Sequence, residues 1–448
     1  MSREAVTIVG GGPAGALLSI VLARQGFPTT VFERRSDPRC GIVAAGRSIN
    51  LALAERGLNA LRRAGLAERV QPLLIAMRGR VVHDLAGATT LLPYGQRPAE
   101  VIYSVSRAAL NQLLIEAAID EFGVDVRFDH ACVSVDLDGP VLTLRHAADG
   151  STVHVDCKRV IGADGSGSAV RASMVSAGLA AAGEELLGHQ YKELSIPPSA
   201  AGGHRIERAG LHIWPRGGFM LIALPNTDRS FTATLFLARS GEPSFAQLGT
   251  ADAVTGFFAR EFADVAPLLP DLTAQFAAHP QGQLGTVHAA PWQAAGRILL
   301  LGDAAHAIVP FHGQGMNAAF EDCATLDALL DEQHDWAGVF AEFERLRRPN
   351  TAAIAQMALE NYIEMRDAVL DARFVRRKSI AMGLERRFPD RFIPRYSMVM
   401  FHPEIPYAEA LRRVAVEAEI LDALEAAAGP DGEPDAALAG KLIRDRLP

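Results

Sequence analysis

Residues 6–33 leave this chain little choice of local fold. Val6 to Val9 is a short apolar strand, Gly10-Gly11-Gly12-Pro13-Ala14-Gly15 is the turn after it, an apolar helix follows, and Glu33 ends the next strand. The glycines at 10, 12 and 15 let the backbone turn tightly, approach a pyrophosphate and pack helix on strand, while the acid at 33 suits a ribose hydroxyl. A lone GxGxxG pattern is a weak signal. Strand, glycines, helix and acid in that order within about thirty residues are a much stronger one.

Two later stretches extend the reading. In Arg297 to Asn317, RILLLGDAAHAIVPFHGQGMN, an apolar strand runs into Gly302-Asp303, and Gly313-Gln314-Gly315 then opens a helix at Met316. An acid at a strand end together with bare helix N–H groups suits a cofactor that carries hydroxyls and an anion. Between the two, Val160-Ile161-Gly162-Ala163-Asp164-Gly165 is again a strand entering an acid-glycine turn, with Arg171 in the helix after it. Cofactor contacts this far apart in sequence point to one long dinucleotide, FAD, held at both ends, with Pro13, Ala14, Arg34 and Asp164 beside the first site and Asp303, Gly315, Met316 and Asn317 at the second.

Composition excludes several functions. A formal charge of -8 offers no basic field to nucleic acid. The four cysteines, Cys40, Cys132, Cys157 and Cys323, lie far apart with no CxxC spacing, so neither zinc nor a disulfide framework is expected and a reducing cytoplasm fits. The first strand begins within a few residues of Met1, leaving no room for a signal peptide, and no apolar run approaches the roughly eighteen residues of a membrane span. From Tyr407, apolar residues at 407, 411, 414, 418 and 421 predict an amphipathic helix that packs on its own protein, and the Ala/Gly/Pro-rich end from Ala426 to Pro434 is expected to be loose.

At 448 residues the chain is long for one core. Strand, helix, strand, a loop of small residues at Gly41 to Gly46 and a helix from about Leu53 give the beginning the texture of an α/β dinucleotide domain. Val81 to Leu92 and Gly210 to Leu237 carry β-branched and aromatic runs broken by Pro and Gly, which predicts an inserted antiparallel sheet. From Glu342 the pattern is helical, with breaks near Pro389, Pro394 and Pro403. The expected division is a discontinuous FAD-binding domain (1–71, 98–179 and 286–341), a substrate domain (72–97 and 180–285) and a C-terminal helical region (342–448) completing the pocket.

Runs longer than any flavin motif carry a closer resemblance: GRSINLAL at Gly46 to Leu53, LHIWPR at Leu211 to Arg216, LLGDAAHAIVPF at Leu300 to Phe311, GQGMNA at Gly313 to Ala318, FEDC at Phe320 to Cys323 and NYIEMR at Asn361 to Arg366. On these the chain resembles the flavoprotein aromatic hydroxylases and, among them, the kynurenine 3-monooxygenase family. The resemblance implies an enzyme without a metal; eukaryotic members of the family carry a hydrophobic membrane tail, and since this chain shows no such run a soluble monomer or homodimer is expected. FAD would be bound, NADPH would visit the same flavin as a transient co-substrate, and O2 would add to the reduced flavin to give a C4a-hydroperoxide that hydroxylates an aromatic amino acid. No acid or base side chain is then catalytic; the protein positions the ring and keeps water out.

The resemblance also implies residues. Ala52 and Arg107 become flavin contacts. Arg80 and Tyr94 become the carboxylate grip, where arginine can make two parallel N–H bonds that lysine cannot. Asn361, Glu364, Met365 and Tyr396 become pocket residues, with Asn361 and Glu364 spaced to share one helical face. Leu211, Ile222, Leu224 and Phe236 become an apolar wall over the ring. His312 departs from the family, which usually has an aromatic residue there; it is a donor near the substrate, a modifier of NADPH-stimulated reduction, or a filler of the same space. Read without the resemblance, NYIEMR is an ordinary amphipathic segment. Three other functions stay open: a biosynthetic hydroxylase of a ring-modified kynurenine or other 2-aminoaryl amino acid, a flavin halogenase or dehydrogenase, and a non-catalytic carrier. A halogenase would show a tryptophan-rich motif, which Trp214, Trp292 and Trp336 do not make.

Overall fold

The computed structural model of the protein describes residues 3–40, 50–333, 335–368, 371–429 and 432–447. The small-residue loop at Gly41 to Gly46 and the first half of the GRSINLAL run lie outside these residues.

Two large sheets organise the chain. One has six strands, and its centre is Val160–Gly162, Val6–Val9 and Thr29–Phe32, side by side and parallel. Ile298–Leu300 extends it in parallel beyond Val160–Gly162, so all three acid-glycine or glycine turns of the sequence emerge from neighbouring strands. These strands are short apolar runs because both faces are covered: Val6, Ile8, Val31, Ile161 and Leu299 are buried. Helix Pro13–Arg24 covers one face with Ala16, Leu17 and Ile20, and helix Gly315–Glu332 lies against it.

The second sheet has seven strands, and it departs from the expected antiparallel pattern at one pair: Gly79–His83 runs parallel to Gly210–Pro215. Side chains alternate across it. Leu211, Ile213, Met220, Leu224 and Phe236 face the cofactor-domain side, whereas Trp214, Leu221, Ala223 and Leu235 pack on the helices of 251–278. That alternation divides the LHIWPR run. Leu211 is turned to the first side, while His212 meets His83 at 2.8 Å and the Trp214 indole N–H donates to Asp264 Oδ2 at 2.7 Å behind the sheet. Strand Gln281–Ala290 belongs to this sheet and crosses residue 286, so the chain returns to the six-stranded sheet along a continuous element.

Two expectations are refined. The segment Asn50–Leu53 is a strand, paired with Ile102–Ser106 in a small three-stranded sheet, and the helix begins only at Glu55. A cross-strand partner overrides its leucine-rich helical look. Helix Tyr407–Ala428 takes in residues 426–428 of the stretch expected to be loose, Gly429 and residues 432–435 carry no regular secondary structure, and a further helix, Ala436–Arg446, follows, packed through Ile443 on Leu424. The C-terminal region otherwise is helical, headed by the 28-residue helix Trp336–Ile363, which contains Pro349 and ends in a π-helical turn, Glu364–Ala368.

Among the described residues no helix is long and apolar enough to cross a membrane, and no cluster of His, Cys, Asp and Glu could hold a metal ion.

Candidate active site

The glycine turn after Val9 is built for a ligand. Gly10 has φ of +103°, and a Cβ there would lie 2.5 Å from the Ala163 carbonyl oxygen; a Cβ on Gly15 would lie 1.9 Å from the Gly10 oxygen. Both positions are therefore closed to any side chain. The helix that follows has Pro13 in its first turn and no side-chain cap at Gly12, which leaves bare N–H groups beside open space. Glu33 closes the turn by accepting from the Gly11 N–H at 2.7 Å. Burial alone would raise its pKa, yet Arg35 and the backbone hold it below the usual carboxylate range. The arginine in contact with it is Arg35, at 2.8 Å; Arg34, the residue expected from sequence, is exposed.

The two later motifs are tied to one another. Arg171 donates to the Ala304 oxygen at 2.7 Å, linking the turn at Asp164 to that at Asp303. Asp164 Oδ2 accepts from the Ala169 N–H at 2.7 Å, while its buried Oδ1 has no partner. Asp322, of the FEDC run, is the centre that sequence reading missed. It is fully buried, accepts from the Gly302 N–H at 3.0 Å and from Arg347 Nε at 2.6 Å, and meets His306 Nε2 at 2.6 Å. Its burial would raise its pKa, but His306 and Arg347 keep it below the carboxylate range. The turn that presents half-buried Asp303 thus hangs on one carboxylate.

Helix Gly315–Glu332 starts one residue before the expected Met316 and also lacks a side-chain cap, so the N–H groups of Gly315 and Met316 are unengaged by side chains. The Asn317 side chain has a second use. Its side chain accepts from the Ala54 N–H at 2.9 Å and donates to the Ala52 oxygen at 2.8 Å, fixing the strand that carries Ala52. Arg107 opens its own helix, is exposed, and interacts electrostatically with Glu193, whose pKa burial pushes up to about 7 against that arginine's pull.

A partly enclosed cavity of about 90 Å³ lies between the seven-stranded sheet and the Pro310–Gly313 loop. Leu211, Ile222, Leu224 and Phe236 line one wall, and Arg80, Tyr94, Tyr396, Met365 and His312 meet at the other end. Ala52 lines it too, as do Tyr191, Phe311, Thr232 and Thr234, which sequence reading did not single out. Their signal was present in strand alternation: Thr232 and Thr234 share a face with Phe236. The Tyr94 and Tyr396 rings stack at 4.9 Å, and the Arg80 guanidinium lies over Tyr396 at 5.0 Å.

Two expected pocket residues stand behind this wall. Glu364 Oε1 accepts from Arg80 at 2.9 Å and Asn361 Oδ1 accepts from it at 3.2 Å, so both hold Arg80 from outside the cavity. They do reach it from one side of the helix, across its α-to-π junction. The second Glu364 oxygen accepts from Arg395 at 2.7 Å. Burial would raise the Glu364 pKa, but Arg80 and Arg395 hold it low.

His312 is 2% exposed, stacks on Tyr396 at 5.4 Å, and has no partner at either ring nitrogen. Burial, with the charges of Arg395 and Arg80, lowers its pKa to about 3, so it is neutral at physiological pH. A histidine with an unfolded pKa near 6.5 binds its proton in the unfolded chain first, so stability falls as pH drops from about 6.5 towards 3. His312→Phe should therefore show a shallower loss of thermal midpoint between pH 7 and pH 4.5 than the unaltered protein. Identical acid limbs would mean that His312 is protonated in the folded state.

The arrangement can hold a long dinucleotide across the strand ends and an apolar-bodied, anion-tailed molecule beside it. Comparison with known proteins supports the dinucleotide. The sequence model of the FAD binding domain family matches residues 3–354. The chain is 50% identical over 422 residues to the kynurenine 3-monooxygenase of Stenotrophomonas maltophilia (strain K279a), covering 94% of this chain and 92% of that protein. It is 48% identical over 430 residues to the kynurenine 3-monooxygenase of Xanthomonas campestris pv. campestris (strain 8004), covering 96% and 93%. Among solved structures, the tetrameric form of 2-methyl-3-hydroxypyridine-5-carboxylic acid oxygenase superposes with a TM-score of 0.68 at 19% identity, covering 82% of this chain and 94% of that one. The p-nitrophenol 4-monooxygenase of Pseudomonas putida DLL-E4 does so with 0.65 at 17% identity, covering 94% and 98%. At such identities the structural likeness concerns the fold.

Proposed function

The chain belongs to the kynurenine 3-monooxygenase family of FAD-dependent monooxygenases, and from that membership we propose that it hydroxylates L-kynurenine to 3-hydroxykynurenine, consuming NADPH and O2, as a step of tryptophan degradation. The observation that carries this reading is a cavity with an apolar body and a buried arginine at one end, floored by the loop that enters an uncapped helix. An aryl ring with an amino-acid tail has that shape and polarity.

FAD, when bound, supplies the electrons taken from NADPH and activates oxygen. Gly10, Gly12 and Gly15 with the N–H groups after them would hold its pyrophosphate, Glu33 its ribose, and Asp164 and Asp303 its middle. The N–H groups opening Gly315–Glu332 would face its negative edge. Toward the substrate, Arg80 and Tyr94 take the carboxylate, while Asn361 and Glu364 fix the guanidinium plane. Leu211, Ile222, Leu224 and Phe236 hold the ring and exclude water; the residues lining this wall include no acid or base.

The direct test is NADPH oxidation with and without L-kynurenine, with product mass measured. Oxidation should accelerate with substrate and yield a product heavier by one oxygen atom. A yellow protein whose NADPH oxidation ignores L-kynurenine would refute the substrate while leaving the cofactor intact.

The wall gives a separate prediction. Phe236 is buried against Phe311 at 5.0 Å, so Phe236→Ala opens a gap beside the ring without removing a polar group. Hydrogen peroxide formed per NADPH should rise more than the NADPH rate falls. If product and NADPH consumption decline in step with no extra peroxide, the wall is not the water barrier.

A further inference from the structure

A second cavity of about 230 Å³ lies directly behind the first, among helices Ala372–Arg387 and Tyr407–Ala428 and residues 392–396. Arg80, Tyr94 and Tyr396 line both cavities, so the stacked tyrosine rings and the guanidinium are a shared partition. The outer cavity combines apolar walls, Phe374, Phe392 and Leu421, with the cations Arg377, Lys378 and Arg395.

Those cations differ. Arg377 is engaged by Asp422 and Glu425, and Arg395 by Glu360 and Glu364. Among the described residues Lys378 has no ion pair, although Glu364 lies close enough to pull on it electrostatically. That carboxylate already serves Arg80 and Arg395. Burial, together with nearby Arg80, lowers the Lys378 pKa to about 8, which leaves it cationic at neutral pH. Glu417, the other acid in the lining, accepts from the Ile393 N–H at 3.2 Å and is pushed up to about 8 by burial, so it holds its proton there and does not cancel the lysine. The outer cavity therefore presents one uncommitted positive charge in apolar surroundings, which is the complement of an aromatic carboxylate.

We propose that the outer cavity is a staging subsite, in which Lys378 receives the carboxylate of an incoming aromatic amino acid before the molecule passes the Tyr94–Tyr396 partition to Arg80. This rests on the substrate class proposed above. The inner cavity is the more enclosed of the two, and half-buried residues such as Phe374, Lys378 and Arg395 line the outer one, so the route runs through the C-terminal helices. Passage exchanges one cation for another along the way, which spares the carboxylate an unpaired crossing of an apolar wall.

The test is stopped-flow association of L-kynurenine with the FAD-loaded enzyme, followed by the flavin absorbance change. Lys378→Met should lower the association rate by roughly threefold or more and flatten its dependence on ionic strength, because a steering charge acts on approach. FAD content should stay at the level of the unaltered enzyme. Ala381→Trp, which fills the outer cavity from helix Ala372–Arg387, should slow association and dissociation by similar factors and leave Kd nearly constant, as obstruction of a passage requires. A Lys378→Met enzyme with unchanged association rate and salt dependence overturns the staging role. So does an Ala381→Trp enzyme whose Kd rises while its association rate holds, since that marks damage to the inner site. An unaltered enzyme that shows no flavin response to L-kynurenine overturns the functional reading and takes this inference with it.

Discussion

Arg80→Met should weaken L-kynurenine binding by roughly 10- to 150-fold, because a charge-assisted hydrogen bond contributes about 1.5 to 3 kcal/mol and about 1.4 kcal/mol is a factor of ten. Arg80→Lys should recover only part of the loss, since an ammonium cannot make the bidentate contact. The structure adds a complication. Arg80 already serves Glu364 and Asn361, so its removal leaves the Glu364 carboxylate with Arg395 as its one ion-pair partner among the described residues, with Lys378 nearby. The double variant Arg80→Met/Glu364→Gln separates the two effects: if the loss comes from an uncovered negative charge, affinity returns in the double variant, and if it comes from a missing grip, it does not. A kynurenine analogue without the carboxylate completes the comparison. It should bind the unaltered enzyme poorly and lose little more on Arg80→Met. Equal losses for analogue and kynurenine would show Arg80 acting through the fold.

Asp322→Ala should be the most damaging change at the cofactor side. Breaking a buried ion pair by removing one partner costs about 3 to 5 kcal/mol, because the other charge is left buried and uncompensated. Here that charge is Arg347, itself 4% exposed, which keeps Glu321 at 2.7 Å and so moves the expected cost towards the lower end of that range, while the Gly302 N–H loses its acceptor at the same time. The variant should unfold at clearly lower urea and retain less FAD on gel filtration, since the Gly302-Asp303 turn loses its support. Asp322→Asn should fall between, keeping an acceptor without the charge. Stability within about 1 kcal/mol of the unaltered protein, with full FAD, would mean that the network contributes no more than an exposed salt bridge does.

The sequence revealed features whose chemistry is local. The glycine turns and uncapped helix starts are written in consecutive residues, and they stand where the motifs put them. Strand alternation likewise places Leu211, Leu224 and Phe236 on one face. What escaped depends on distant partners. Asp322 looks like one more acid on a helix until Gly302, His306 and Arg347 are brought to it. Glu33 chooses Arg35 over its neighbour Arg34 because a strand end points alternate side chains to opposite faces. Ala181–Ile196 begins AAGEELL, a run of helix formers, and is nonetheless a strand between two others, held by pairing with Gln281–Ala290 and Phe231–Ala238. Asn361 and Glu364 were expected in the pocket and serve one layer out, and Lys378 gave no signal at all.

Helix Trp336–Ile363 works as a ruler. Its first residue packs against Phe27 of the cofactor domain at 5.1 Å, Arg347 grips Asp322, and Asn361 grips Arg80, all on one rod. Arg347 and Asn361 are fourteen residues apart, or about 21 Å at the helical rise. That length and phase set the distance between the acid-glycine turn and the proposed substrate anchor, so the two half-sites cannot be spaced independently. One residue inserted between them would swing Asn361 through about 100° and lift it about 1.5 Å off its arginine while leaving every side chain of both half-sites in the sequence. The outer surface of the rod is thus open to substitution, and its residue count is not.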